Sequence, residues 1–215
     1  NLPRRDVDGT TLAPLAYHVR SGVPIVAYQF NPLDNEDVFS NDASLLLPSH
    51  VVGDEYVVMT REQSFDSLRG YLTGVGINEE PTVVTVTVTA PTQEALIGDI
   101  PALSAGETIE LILEPFDVLN LQTSAPGADL TGSRVVASQP VVVFGGSEAA
   151  NVPNTNHCVN INERTGEGVC EYDELTVCSS NYDCNEALLN VCCADHLEQQ
   201  LFPDRKSTRL KLQSH

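Results

Sequence analysis

Residues 82–89 read Thr-Val-Val-Thr-Val-Thr-Val-Thr, a near-alternation that turns one face of an extended chain toward a core and the other toward water. Similar short runs rich in Val, Ile and Thr occur at 24–30, 56–60, 108–113, 116–122 and 140–144. Turn-forming residues punctuate them, among them Gly22, Pro32, Gly53, Gly74, Pro81, Pro91, Gly106, Pro126, Gly132 and Gly145. The pattern predicts an all-β protein. Two short helices are expected beside the strands. One covers 61–70, where Gln63 follows Thr60 by three residues, and the other 194–202, where Ala194, Leu197 and Leu201 share a helical face.

An internal repeat organises these strands. Val19-Arg20-Ser21-Gly22-Val23-Pro24-Ile25-Val26-Ala27-Tyr28 matches Val135-Val136-Ala137-Ser138-Gln139-Pro140-Val141-Val142-Val143-Phe144 at an offset of 116. Each copy runs on to a Leu-containing segment that ends in proline, Asp42 to Pro48 in the first and Asp195 to Pro203 in the second. Pro24 and Pro48 are 24 residues apart, whereas Pro140 and Pro203 are 63 apart, an excess of 39. That excess predicts a loop inserted at 158–193 in the second copy. The expected fold is a set of sandwich-like layers built from two related strand repeats, with a propeller-like ring as the alternative.

All six cysteines, Cys158, Cys170, Cys178, Cys184, Cys192 and Cys193, lie in that insertion. Zinc sites want short Cys-x2-4-Cys pairs, and the spacing here is x11, x7, x5 and x7 before the vicinal pair. Disulfides are therefore expected, stapling a loop that has little core of its own. Six cysteines allow 15 pairings, and 12 remain once the strained vicinal bond is set aside. The expected closure is Cys158–Cys193 at the base of the insertion, worth up to ~4 kcal/mol in loop entropy.

Charge narrows the partners. Thirty acidic and 11 basic residues give a formal net charge of −19, which repels nucleic-acid phosphates and anionic membranes. No apolar run approaches the ~18 residues of a membrane span. Lys206 and Lys211 are the only lysines of the chain, and both fall in 204–215. That stretch is expected to be an artefactual or out-of-frame tail on a β-domain covering 1–203, with any export signal lying upstream.

The chain resembles the N-terminal domain family of IgGFc-binding proteins, particularly its bacterial members, from about Leu12 to Pro203. The resemblance rests on Arg20 to Asn31, Asn41 to Pro48 and Ala137 to Gly146. Cys193-Ala194-Asp195-His196-Leu197-Glu198-Gln199-Gln200-Leu201 completes it. It implies a secreted or surface-attached, non-catalytic, adhesive module, with immunoglobulin Fc as a partner by analogy alone.

The expected role is extracellular recognition of a protein or glycan through loops on a rigid scaffold, with a purely structural module of a larger surface protein as the alternative. The candidate loops are 31–42 and 158–192. In the first, Asp34, Asn35, Glu36, Asp37, Asn41 and Asp42 offer oxygen ligands that could hold Ca²⁺. They lack the Asp-x-Asp-x-Asp-Gly spacing of an EF-hand, so turn formation is the expected role and no cofactor is expected. Asp195-His196 is expected to cap a helix, and His18 to be structural. Ser147 lacks a Gly-x-Ser-x-Gly elbow, and no phosphate loop, dinucleotide fingerprint or His-Glu-x-x-His occurs. An enzyme is not expected; a hydrolase is the least favoured reading.

Overall fold

A computed structural model describes residues 5–31, 42–96, 99–150, 158–171, 173–179, 183–184 and 194–204. The protein is all-β. Its strands are β1 (Thr11–Ala13), β2 (Tyr28–Asn31), β3 (Asp42–Leu45), β4 (Gly53–Val57), β5 (Gly70–Gly76), β6 (Thr82–Thr87) and β7 (Thr108–Leu113). They continue with β8 (Val118–Gln122), β9 (Arg134–Ala150), β10 (Cys158–Val159), β11 (Gly168–Cys170), β12 (Asp173–Cys178) and β13 (Asp195–Gln200). Eight of them form one antiparallel sheet in the order β1-β8-β5-β9-β6-β7, with β4 and β13 also paired to β9.

The 17-residue strand β9 is the axle of this sheet. Its first part, 134–137, lies between β4 and β6; its second part pairs β5 over 141–147 and β13 from Phe144 on, with Val141 also facing Gly53 of β4. The change of partners falls at 138–140, where no ladder pairing occurs, so Pro140 sits where its missing N–H costs nothing. Side chains from both halves meet in one core: Tyr56, Leu72, Val84, Val86, Leu119, Leu121, Val135, Val141 and Val143 are all buried. The sheet thus curls over itself in a sandwich-like layout, and the described residues form no ring of separate blades.

The sequence repeat is a repeat of hairpin register. In the first copy Tyr28 pairs Leu45, Gln29 pairs Ser44, Phe30 pairs Ala43 and Asn31 pairs Asp42. In the second, Phe144 pairs Gln200, Gly145 pairs Gln199, Gly146 pairs Glu198 and Ser147 pairs Leu197. The pairs correspond one to one when the copies are aligned on their prolines. Even the flanking bond is kept, with Leu46 N–H donating to Ala27 O at 3.0 Å and Leu201 N–H to Val143 O at 2.8 Å. The insertion therefore enters a hairpin connection and leaves the register of its strands intact.

Both expected helices are absent. Residues 61–69 form an irregular loop arranged around Gln63, which is fully buried. Its amide donates to Phe65 O at 2.6 Å, and its carbonyl oxygen accepts from the Thr123 hydroxyl. With Gln63 N–H donating to Ala128 O and Gly127 N–H to Gln63 O, these bonds tie the loop to 123–128, so Gln63 does not complete a helical capping box. Residues 195–200 are β13, and here the alternation is inverted: polar His196, Glu198 and Gln200 point inward while Asp195 and Gln199 are exposed. Polar residues on the inner face hid the period of two. Gly74 and Gly145, expected at boundaries, lie inside β5 and β9.

The insertion carries its own sheet, β10-β11-β12, and its own small core of half-cystines. The expected Cys158–Cys193 closure is replaced by Cys158–Cys178 and Cys170–Cys184. Cys158 and Cys170 are directly paired across β10 and β11, so each reaches a different strand or turn for its sulfur partner. Cys192 and Cys193 lie outside the described residues. Each bond closes a loop of 20 or 14 residues and is worth about 3 kcal/mol to the insertion alone. Reduction is therefore expected to expose the amides of 158–178 to exchange while β5, β6 and β9 keep their protection; hydrogen exchange read by mass spectrometry checks this.

Candidate functional site

The stems of the two candidate loops lie side by side. Residues 32–41 connect β2 to β3, and the insertion connects β9 to β13. Strands β3 and β13 are locked together at that end by side chains gripping backbone. Asp42 accepts from Glu198 N–H at 2.7 Å, and Ser44 Oγ accepts from Gln200 N–H at 3.0 Å. In return Gln200 Oε1 accepts from Leu47 N–H at 2.6 Å.

Glu198 is the centre of this seam. Only 8% exposed, its carboxylate accepts from Gln29 Nε2 at 2.8 Å, Asn31 Nδ2 at 2.8 Å and Tyr71 Oη at 3.1 Å. Three donors from two other strands compensate the desolvation that burying a carboxylate would otherwise cost. Gln29 and Asn31 reach it because alternate residues of β2 share a face, while Tyr28 and Phe30 point away. Tyr71 reaches it because the facing position on β9 is Gly146, where a Cβ would lie 2.5 Å from the tyrosine hydroxyl oxygen.

Behind Glu198 lies a second tier. His196 Nε2 sits 3.3 Å from the Tyr71 hydroxyl, and its Nδ1 lies 3.2 Å from Glu148 O. A carbonyl only accepts, so Nδ1 carries the hydrogen in that contact. The Glu148 carboxylate accepts from Gln122 Nε2 and Arg69 N–H, both at 2.8 Å.

Burial, then the neighbouring Glu198 charge, pushes the Tyr71 hydroxyl far above the ordinary value of 10. Burial likewise raises Tyr56. Both hydroxyls stay protonated in the folded chain at pH values where the unfolded chain ionises. These two groups therefore leave stability unchanged below about pH 10 and lower it above, by about 1.4 kcal/mol per pH unit for each such tyrosine. Urea titrations from about pH 9 to about pH 11 should show a shallower decline in Tyr71→Phe; an unchanged slope would place the effect elsewhere.

Of the sequence candidates, Asp42 is at this seam, and its two oxygens already accept from Ala43 N–H and Glu198 N–H, both at 2.7 Å. Asp34, Asn35, Glu36, Asp37 and Asn41 lie outside the described residues. Cys158, Cys178 and Cys184 cluster closely enough to resemble a metal site, but all three are committed to disulfides. Asp195 and His196 point to opposite faces of β13, as adjacent strand residues must, and so cannot act as a dyad. Asp195 caps no helix; it pairs with Ala150. Ser147 is fully buried and donates to Ala149 O at 3.1 Å. His18 packs against Phe116 with ring centroids 5.6 Å apart.

Gln29, Asn31, Tyr71, Glu148 and Glu198 went unnoticed as site residues. For Gln29, Asn31 and Glu198 the repeat is the signal that could have found them; Tyr71 and Glu148 lie outside its matched segments. Aligning the copies puts Asn31 and Asp42 opposite Ser147 and Leu197, next to Glu198 in β13.

The family model described as IgGFc binding protein matches residues 42–207, which take in β3 through β13. The human IgGFc-binding protein is 32% identical to this chain over 123 residues, 55% of the chain and 2% of that protein's length. The chain thus spans about 2% of the length of the curated relative it matches. No solved structure matches it.

Proposed function

This chain belongs to the IgGFc binding protein family, and from that premise we propose that it is a non-catalytic extracellular recognition module. Its binding end is the one where the stems of loops 32–41 and 151–194 meet. The observation that carries the proposal is the Glu198 seam, which fixes the stems of both loops against each other. Disulfides at Cys158–Cys178 and Cys170–Cys184 fit an oxidising compartment and stiffen one of the loops. Among the described residues no helix is long and apolar enough to cross a membrane. The partner is a protein or glycan; immunoglobulin Fc is the first to test, because it is what the human relative's name says that protein binds. A net charge of −19 favours a partner face rich in Lys and Arg.

The test uses the repeat. Deleting 155–193 removes 39 residues and gives the second hairpin the connection length of the first. This variant is expected to keep its unfolding midpoint within a few degrees, because the main core contains no residue of the insertion. Its affinity for Fc, measured by surface plasmon resonance, is expected to drop at least ten-fold. If affinity survives both this deletion and replacement of 32–41 by a glycine-serine linker, the loops do not recognise the partner. A chain that binds neither Fc nor an arrayed glycan in any form would be a structural module.

A further inference from the structure

The repeat makes one part of the molecule conspicuous. Val135, Val141 and Phe144 of β9 are 1%, 0% and 8% exposed, whereas their first-copy counterparts Val19, Ile25 and Tyr28 are 64%, 55% and 58% exposed. The two segments have matching sequence and matching hairpin register, yet these positions are enclosed in β9 and stand in solvent in the first copy. The cause lies in their partners. In β9, Val135 lies between β4 and β6, β5 runs along one edge over 141–147, and the other edge is held by Gly53 of β4 at Val141 and by β13 from Phe144 on. Among the described residues β2 has only β3, the counterpart of β13. Among the described residues the edge that β5 fills in the second copy is left unpaired in the first, and Val23, Val26 and Phe30 are exposed along the same segment.

We propose that residues 19–31 are a docking strand for a second sheet unit of the β4–β6 kind, supplied by another stretch of polypeptide, with its β5-like strand zipped to the open edge of β2. The chain's own unit cannot serve, because it is already engaged along β9. A second copy of the chain would bring its own unit in the same occupied state, and two bodies of charge −19 repel. Equivalence also sets the register. Since Gly70, Thr73 and Gly76 face Ser147, Phe144 and Val141 in β9, the incoming strand places the matching positions opposite Asn31, Tyr28 and Ile25. An unpaired edge flanked by exposed Val, Ile and aromatic side chains is what strand addition requires: backbone bonds supply affinity and alternate side chains supply register.

The probe is a synthetic peptide of residues 68–78, added at millimolar concentration to the full chain and followed by amide exchange. Saturable binding is expected, with exchange in 25–31 slowed at least ten-fold. The double variant Ile25→Lys, Val26→Lys should abolish this, and because both positions are exposed it should remain folded by circular dichroism. Unchanged exchange, or equal protection by a scrambled peptide, would overturn the proposal. So would sedimentation showing that the chain alone dimerises and protects the same amides, since the occupant would then be a second copy. None of these readouts depends on Fc binding.

Discussion

Gly146→Ala is expected to lower the stability of the chain by about 3 kcal/mol or more, a large share of what holds a domain of this size together. The added Cβ would meet three atoms at once: Leu197 O on β13, and Cζ and Oη of Tyr71, the latter two at 2.5 Å. Gly146 is paired on both edges, to Tyr71 of β5 and Glu198 of β13, so neither neighbour can retreat without breaking a ladder. Tyr71 cannot swing aside either, because its hydroxyl is held by Glu198. Gly145→Ala should be similar, since its Cβ would run into the Met59 carbonyl oxygen. Gly74→Ala is the control. Its Cβ would find Leu119 Cβ at 4.0 Å, an ordinary contact, and the change is expected to be neutral or to stabilise by up to about 1 kcal/mol. Urea unfolding midpoints at constant slope would decide. A Gly146→Ala chain as stable as Gly74→Ala would mean that β13 is not packed against Tyr71.

Those glycines also show where the sequence was misleading. Gly145 follows a run of valines and reads as a turn, because glycine is the commonest punctuation between strands. Its other meaning, a strand position approached closely by another backbone, applies here, and nothing local distinguishes the two. Where glycine does end an element the reading holds: Gly106 and Gly132 have φ of 86° and 90° and sit in turns.

The strands with an apolar inner face were legible, β6 and β7 almost residue for residue. Strand β13 was not, because its inner face is His196, Glu198 and Gln200, a choice that makes sense only once Gln29, Asn31 and Tyr71 arrive from distant parts of the chain. The same long-range dependence explains the cysteines. Their number and confinement announced a stapled insertion, but the pairing followed the β10–β11–β12 ladder, which the sequence spacing does not display. The repeat, by contrast, was visible at once and carried more than expected. It fixed the two hairpins, the length of the insertion and the difference between a covered strand and an uncovered one.

The seam yields the second large effect, which separates a binding end that is held from one that merely exists. Glu198→Ala is expected to cost about 2–3 kcal/mol, because it removes the acceptor of the half-buried Gln29 and Asn31 amides and leaves the buried Tyr71 hydroxyl only the longer contact to His196 Nε2. Glu198→Gln should cost less but not nothing. Its carbonyl oxygen can serve one side of the cluster, while its NH2 group must then face a donor, either Gln29 Nε2 or the Asn31 and Tyr71 pair. A double-mutant cycle of Glu198→Ala with Asn31→Ala should return a coupling of about 1–3 kcal/mol, since both changes remove the same 2.8 Å bond. The functional consequence runs through geometry. Asn31 and Glu198 stand at the stems of different loops, so a chain that has lost their bond should present its insertion correctly folded but displaced from 32–41. Asn31→Ala, which removes that bond outright, is then expected to bind its partner more weakly than wild type through slower association, with the disulfides unchanged. Full affinity in a variant whose coupling has been shown to vanish would mean that only one of the two loops is read.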